Sequence, residues 1–151
     1  MHNDSLWFTA ARANVKLSNR DNARGLSIIE NVMAQGFSPP MHVHHDETET
    51  FYVIEGRFRF VMDGVATIAG PGDVLHIPAG VTHSFLVLSP TGGRFLAITD
   101  GGFEDIVREA SRPAADDGLP EQAPPTPAQQ QALATACLAN GIELVGAPLA
   151  A

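Results

Sequence analysis

The chain has 151 residues, 44% hydrophobic and 17% charged, with a formal net charge of −8 and nine Lys and Arg residues in all. This length and composition fit one globular domain with its own core and exclude a disordered chain. Scattered basic residues on an acidic background argue against nucleic acid and anionic lipid as partners, no apolar run reaches the roughly 18–20 residues of a membrane span, and the single cysteine, Cys137, permits no internal disulfide.

The opening segment lacks the apolar core of a secretory signal, so a cytoplasmic location is expected, with His2 in a disordered start. From about Leu6 to Asp100, short β-branched and aromatic runs are divided by Gly, Pro, Asn and Asp. GLSIIENVM and ETFYVIEG predict strands. In RFRFVMDG the residues alternate, with Phe58, Phe60 and Met62 on one face and Arg59, Val61 and Asp63 on the other. Asp63-Gly64 is a type I′ hairpin signal, and VATI, DVLHIP, THSFLVL and RFLAIT follow as further strands. The expected fold class is all-β, an antiparallel sandwich or barrel.

After Gly101-Gly102 the pattern changes. FEDIVREAS predicts a short helix with Phe103, Ile106 and Val107 on one face, and a Pro-rich stretch reads as an extended arm. Thr126 and Gln129 have capping-box spacing with Pro127 at the first helical position. The helix behind them stops near Asn140-Gly141, and IELV fits one last strand. Residues 1–102 are therefore expected to form the barrel. Residues 103–151 form a helical and extended tail that packs on the barrel or on a partner subunit.

Between Gly36 and Gly56, imidazoles and carboxylates crowd against an apolar run. His42 and His44 are two apart, so in a strand both side chains point to one face. Glu49 heads a row whose same-face neighbours, Phe51 and Val53, are apolar. A carboxylate in that position needs a partner, and a divalent cation supplies one. Further on, Pro78 and Gly80 form a turn that places His83 at the head of a new strand. Three neutral imidazoles and one carboxylate suit a single divalent transition-metal ion, one of Fe, Mn, Ni, Co, Cu or Zn, with coordination positions left open. A closed structural zinc site usually has thiolates instead.

These residues fit G-x5-H-x-H-x4-E-x6-G (Gly36, His42, His44, Glu49, Gly56) and G-x5-P-x-G-x2-H (Gly72, Pro78, Gly80, His83). The pair of motifs resembles the cupin superfamily over residues 36–56 and 72–87. The resemblance implies a small jelly-roll β-barrel, a metal held by His42, His44, Glu49 and His83, and a homodimer. The family's second motif usually ends in Asn where this chain has Val87, a departure that bears on pocket shape. Beyond the motifs, the tail phrasing is similar to that of single-domain, quercetin-dioxygenase-like cupins, which implies a small-molecule substrate and O2.

On this reading the protein is a metal-dependent dioxygenase of an enolic or phenolic aromatic such as a flavonol. Glu49 is its catalytic base, with a pKa raised by the apolar lining. A metal-dependent isomerase or decarboxylase, or a cupin that binds a small molecule without turnover, are the other classes the same site serves. Phe51, Val53, Phe60, Phe85 and Val87 are the expected pocket residues, although the three phenylalanines fit plain barrel core equally well. His45 has the opposite strand parity and Glu47 falls in a turn, so both are expected in solvent or behind the ligands. His76 is out of phase with Leu75 and Ile77, and Cys137 reads as a small packed hydrophobe. Thr50, Tyr52 and Ile54 form a second face on the strand of Glu49, to be covered by a sheet, the tail or another subunit.

Overall fold

Alternating burial along the predicted strands builds two antiparallel sheets around an aromatic core. The computed structural model describes residues 4–151, so His2 lies outside the described residues. In chain order the elements are β1 (Asp4–Phe8), β2 (Ala11–Leu17), β3 (Ser27–Met33), β4 (Pro40–His44), β5 (Glu49–Glu55), β6 (Phe58–Met62), β7 (Val65–Ala69), β8 (Val74–Ile77), β9 (His83–Val87), β10 (Gly93–Thr99), α1 (Phe103–Ala110), β11 (Arg112–Pro113), α2 (Pro127–Ala139) and β12 (Ile142–Pro148). One sheet has the order β11-β1-β2-β3-β10-β5-β8 and the other β12-β4-β9-β6-β7. The two form a small jelly-roll barrel with a short helical extension: the strand pattern predicts an antiparallel sandwich or barrel, and the family resemblance implies the jelly roll.

Period-two patterning sets which side chains meet inside. On β5, Glu49, Phe51 and Val53 are buried; on β10, Phe95, Ala97 and Thr99; on β6, Phe58 and Phe60. Phe51, Phe58, Phe60, Phe85 and Phe95 form one cluster, with ring centroids as close as 4.8 Å for Phe51 and Phe95. Burying each ring contributes roughly 1.5–3 kcal/mol. Asp63 and Gly64 both have positive φ, 47° and 79°, as a type I′ turn between β6 and β7 requires.

The tail lies against the barrel. In α1, Ile106 and Val107 are buried as the helical pattern predicts, and α2 begins with the predicted capping box of Thr126 and Gln129. Cys137 is the buried residue of α2, and burial, with Glu109 nearby, raises its thiol to about 11, which suits packing and not nucleophilic chemistry. After α2, β12 pairs with β4, opposing Ile142 to His44 and Leu144 to His42. The last strand thus joins the sheet that carries the histidines. The outer face of β5 stays open within the chain, with Tyr52 42% exposed beside Val74 at 61%. Among the described residues no helix is long and apolar enough to cross a membrane.

Glu104 is fully buried, a feature that the helix pattern alone does not reveal. Its carboxylate accepts from Ser18 Oγ (2.7 Å), the Asn19 amide (2.7 Å), Ser27 Oγ (2.6 Å) and Arg108 Nε (2.9 Å). Arg108 reaches on to Asp4 at 2.8 Å. This network fastens α1 to β1, to β3 and to the turn after β2. Burial favours the neutral acid, but Ser27 and the other donors outweigh it and hold the carboxyl below its ordinary 4.5. A depressed folded-state pKa contributes stability above pH 4.5 that is lost as pH falls through the folded value. Glu104→Ala is expected to cost about 2–4 kcal/mol in urea denaturation near neutrality. The gap to the wild type should narrow below about pH 4.5; a variant of unchanged midpoint would mean that the network carries no net stability.

Candidate metal centre

Four ligand-type side chains converge where the two sheets meet. His42 and His44 come from β4, His83 opens β9 directly opposite His42, and Glu49 opens β5 in the other sheet. One ligand atom from each lies within 4.8 Å of all the others. The ring centroids are 4.3 Å apart for His42 and His83, 5.2 Å for His42 and His44, and 5.3 Å for His44 and His83. The turn at Pro78 and Gly80 puts His83 in place: Gly80 has φ of 85°, and its amide donates to the carbonyl of His44 at 2.8 Å. An L side chain at that φ would be strained, which explains the glycine.

The far nitrogen of each ring decides what the near one offers. His42 Nδ1 lies 2.7 Å from the carbonyl of Pro40, His83 Nδ1 2.9 Å from the carbonyl of Val81, and His44 Nδ1 2.7 Å from Glu47 Oε1. Carbonyl and carboxylate oxygens only accept, so all three Nδ1 atoms carry the proton and donate. In the neutral rings, Nε2 is then left with the lone pair, and those of His44 and His83 face Glu49. Oε2 of Glu49 is 3.0 Å from His83 Nε2 and 3.1 Å from His44 Nε2, and the latter is fully buried without a hydrogen bond. Lone pairs and a carboxylate facing one point repel unless a positive charge sits among them, either a proton taken up by His44 or a bound cation that replaces it. The donor set therefore fits a divalent cation held by His42, His44, His83 and Glu49, with outer hydrogen bonds on every imidazole.

Charge within the cluster follows the same geometry. Burial pushes His42 down to about 3, and the neighbouring His83 adds to the shift. Burial would lower His44 as well, but Glu49 and Glu47 outweigh it and raise that ring to about 10. Burial favours the neutral form of Glu49 too, yet His44 and His83 hold its carboxyl well below the usual carboxylate range. This corrects the expectation that apolar surroundings raise Glu49: two imidazoles at hydrogen-bonding distance prevail over the lining.

A cavity of about 60 Å³ adjoins the cluster, with His42 and Glu49 in its wall beside Phe37, Phe51, Phe85, Phe95, Phe103 and Asn31. Of the five pocket residues expected from the sequence, Phe51 and Phe85 reach this cavity. Val53, Phe60 and Val87 do not; they pack in the aromatic core. His45 is exposed, paired with Glu143 at 3.0 Å, and His76 is exposed, bonded to Thr50 at 2.9 Å. Glu47 is buried behind His44. The tail supplies a wall that the motifs do not indicate, Phe103, whose ring lies 6.0 Å from that of His44. A larger groove of about 320 Å³, lined by Gln35, Glu55, Pro90 and Arg94 among others, contains none of the four ligands, and its Arg94–Glu55 pair is already closed at 2.7 Å.

Comparison with known proteins gives one consistent picture. Residues 29–99 match the family model described as the cupin domain. A quercetin 2,3-dioxygenase of Bacillus subtilis is 36% identical over 72 residues, 48% of this chain and 21% of that protein. An oxidoreductase, iacF, of Pestalotiopsis fici is 43% identical over 56 residues, 36% of this chain and 28% of that one. The matched regions thus span well under a third of these curated relatives. Among solved structures, an RmlC-like cupin from Shewanella frigidimarina superposes with a TM-score of 0.58 at 23% identity, covering 69% of this chain and 89% of the other.

Ion binding must displace the proton that His44 holds in the ion-free protein. Because that ring is raised to about 10, it is protonated at neutrality, and each fall of one pH unit makes the displacement about tenfold harder. The affinity for Co(II) or Zn(II) is expected to climb about tenfold per unit between about pH 6 and pH 8, with one proton released. Calorimetry in buffers of different ionisation enthalpy measures this, and a flat profile would contradict the charge assignment.

Proposed function

Because residues 29–99 match the cupin domain model and the four-residue cluster lies within that match, we propose that the chain is a metal-dependent dioxygenase acting on a compact enolic or phenolic substrate. The observation that carries this reading is the convergence of three imidazoles and a carboxylate on one point at the wall of an aromatic cavity. The likeness to a quercetin 2,3-dioxygenase supports the reaction class. The bound ion would supply an acid that lowers the pKa of a substrate hydroxyl and a site where oxygen and substrate meet.

The chain's own residues do the rest. Phe51, Phe85, Phe95 and Phe103 present ring faces and edges to a flat unsaturated substrate and exclude water. Of the titratable groups in the cavity wall, Glu49 is the carboxylate. It is ionised throughout the ordinary pH range, so it can take up the substrate's hydroxyl proton at a carboxylate oxygen without first losing one. Weak as a base, it is matched to a hydroxyl already made acidic. Drug-sized ligands occupy roughly 300–1,000 Å³. A cavity of about 60 Å³ is well below the roughly 150 Å³ that accommodates a benzene ring, so an enol fragment enters most easily and any aromatic substrate, a flavonol above all, enters only if Phe103 or Phe37 swings aside.

Oxygen-electrode traces test the assignment. Metal-loaded protein given a panel of enols, phenols and flavonols is expected to consume oxygen only when metal and substrate are both present, with small members turning over faster than flavonols. Product formed without oxygen would point instead to an isomerase or decarboxylase. A ligand that raises the melting temperature and returns unchanged would point to a binding protein.

The proposal includes a homodimer. The outer face of β5 and its neighbour β8, with Tyr52 and Val74 exposed side by side, presents apolar surface uncovered within the chain, and a second copy would remove it from water. Sedimentation at micromolar concentration is expected to give twice the chain mass of 16.0 kDa; Tyr52→Glu should shift it to the monomer.

A further inference from the structure

We infer that Glu47 is a positioning residue of the metal centre, which holds His44 in register and ties it to the entrance of the tail. The inference rests on the reading of the four-residue cluster as a metal site. His42 and His83 are anchored by backbone carbonyls, whereas His44 is anchored by a side-chain carboxylate at 2.7 Å. That carboxylate is 4% exposed, and among the described residues its ion-pair partner is His44. Among the described residues no Lys or Arg pairs with it, so its place in the structure is explained by the imidazole and by what lies behind it.

Behind it is the start of the tail. Oε2 of Glu47 accepts a long hydrogen bond, 3.4 Å, from the amide of Phe103, the first residue of α1. A carboxylate at a helix N-terminus is favoured by the unpaired amides there. Close approach is possible because residue 101 is glycine: a Cβ there would fall 2.6 Å from Cβ and 2.9 Å from Oε2 of Glu47. The next residue is equally confined, since a Cβ on Gly102 would fall 2.5 Å from the carbonyl oxygen of Asn140 at the end of α2. The Gly101-Gly102 pair thus presses the tail onto Glu47, Glu47 holds His44, and the ring of Phe103 covers both His44 and the cavity.

Two consequences separate this role from plain packing. A carboxylate behind an imidazole makes it a stronger donor than one backed by a carbonyl, so His44 is the most electron-rich of the three nitrogen ligands. The proton on His44 Nδ1 should also be sheltered from solvent, because donor and acceptor are both buried.

Glu47→Gln and Glu47→Ala test the inference in the full chain. Glutamine can still accept from Nδ1 but carries no charge; alanine removes the acceptor. Chelator competition with Co(II) is expected to show affinity lowered about 10- to 100-fold in Glu47→Ala and by less in Glu47→Gln. The visible d–d bands of bound Co(II) should shift in both. In metal-free protein, nitrogen-15 NMR should show a downfield, exchange-protected Nδ1 proton on His44 that Glu47→Ala loses. If Glu47→Ala does not fold, Glu47→Gln decides alone. Unchanged Co(II) spectra and affinity overturn the inference. A wild type that takes up no Co(II) overturns the metal-site reading instead, and the NMR comparison then still decides whether Glu47 anchors His44.

Discussion

The constraint on which the site depends is the pinning of three imidazoles by their outer nitrogens. Each Nδ1 meets an oxygen that can only accept: Pro40, Val81 or Glu47. That single condition fixes tautomer and ring orientation together, and it turns every Nε2 inward. With Glu49 facing the same point from the other sheet, the interior of the barrel holds a concentration of negative electrostatic potential that apolar packing cannot relieve. Everything else described for the site, from the lifted His44 to the suppressed Glu49, follows from groups responding to that arrangement.

The surrounding barrel makes the arrangement rigid. Glu49 lies on β5 and the histidines on β4 and β9, so the geometry depends on how the two sheets are spaced. That spacing is set by the phenylalanine cluster, whose rings meet in tilted and edge-to-face contacts. Three of those rings, Phe51, Phe85 and Phe95, also supply the apolar floor of the cavity. Stability and ligand environment are thus two uses of one set of side chains, and enlarging the cavity would draw on the packing that keeps the sheets apart.

Much of this can be read from residue order. Strand parity alone puts His42 and His44 on one face, the Pro78–Gly80 turn predicts where His83 enters, and Asp63-Gly64 announces its hairpin. These are local signals, in which spacing and backbone conformation determine direction. The features that escape such a reading are contacts between distant segments. Parity puts Val53, Phe60 and Val87 on the inner faces of their strands, but it does not tell which depth of the barrel is open and which is filled. Glu47 looks like a turn carboxylate until α1 closes over it, and Glu104 looks like an exposed helix residue until Ser18 and Ser27 are brought to it from far along the chain. The Gly101-Gly102 pair was visible as a break in pattern; its reason is the space that Glu47 and Asn140 occupy.

The pairing of β12 with β4 also bears on when the protein assembles. Opposite His44 stands Ile142, and opposite His42 stands Leu144. During synthesis β4 leaves the ribosome long before its neighbour, and until then it is an unprotected sheet edge with half its backbone groups unpaired. Contacts of such long sequence separation form late, because the intervening loop must close first. The histidine-bearing strand should therefore reach its final order only after residues 142–148 have been made.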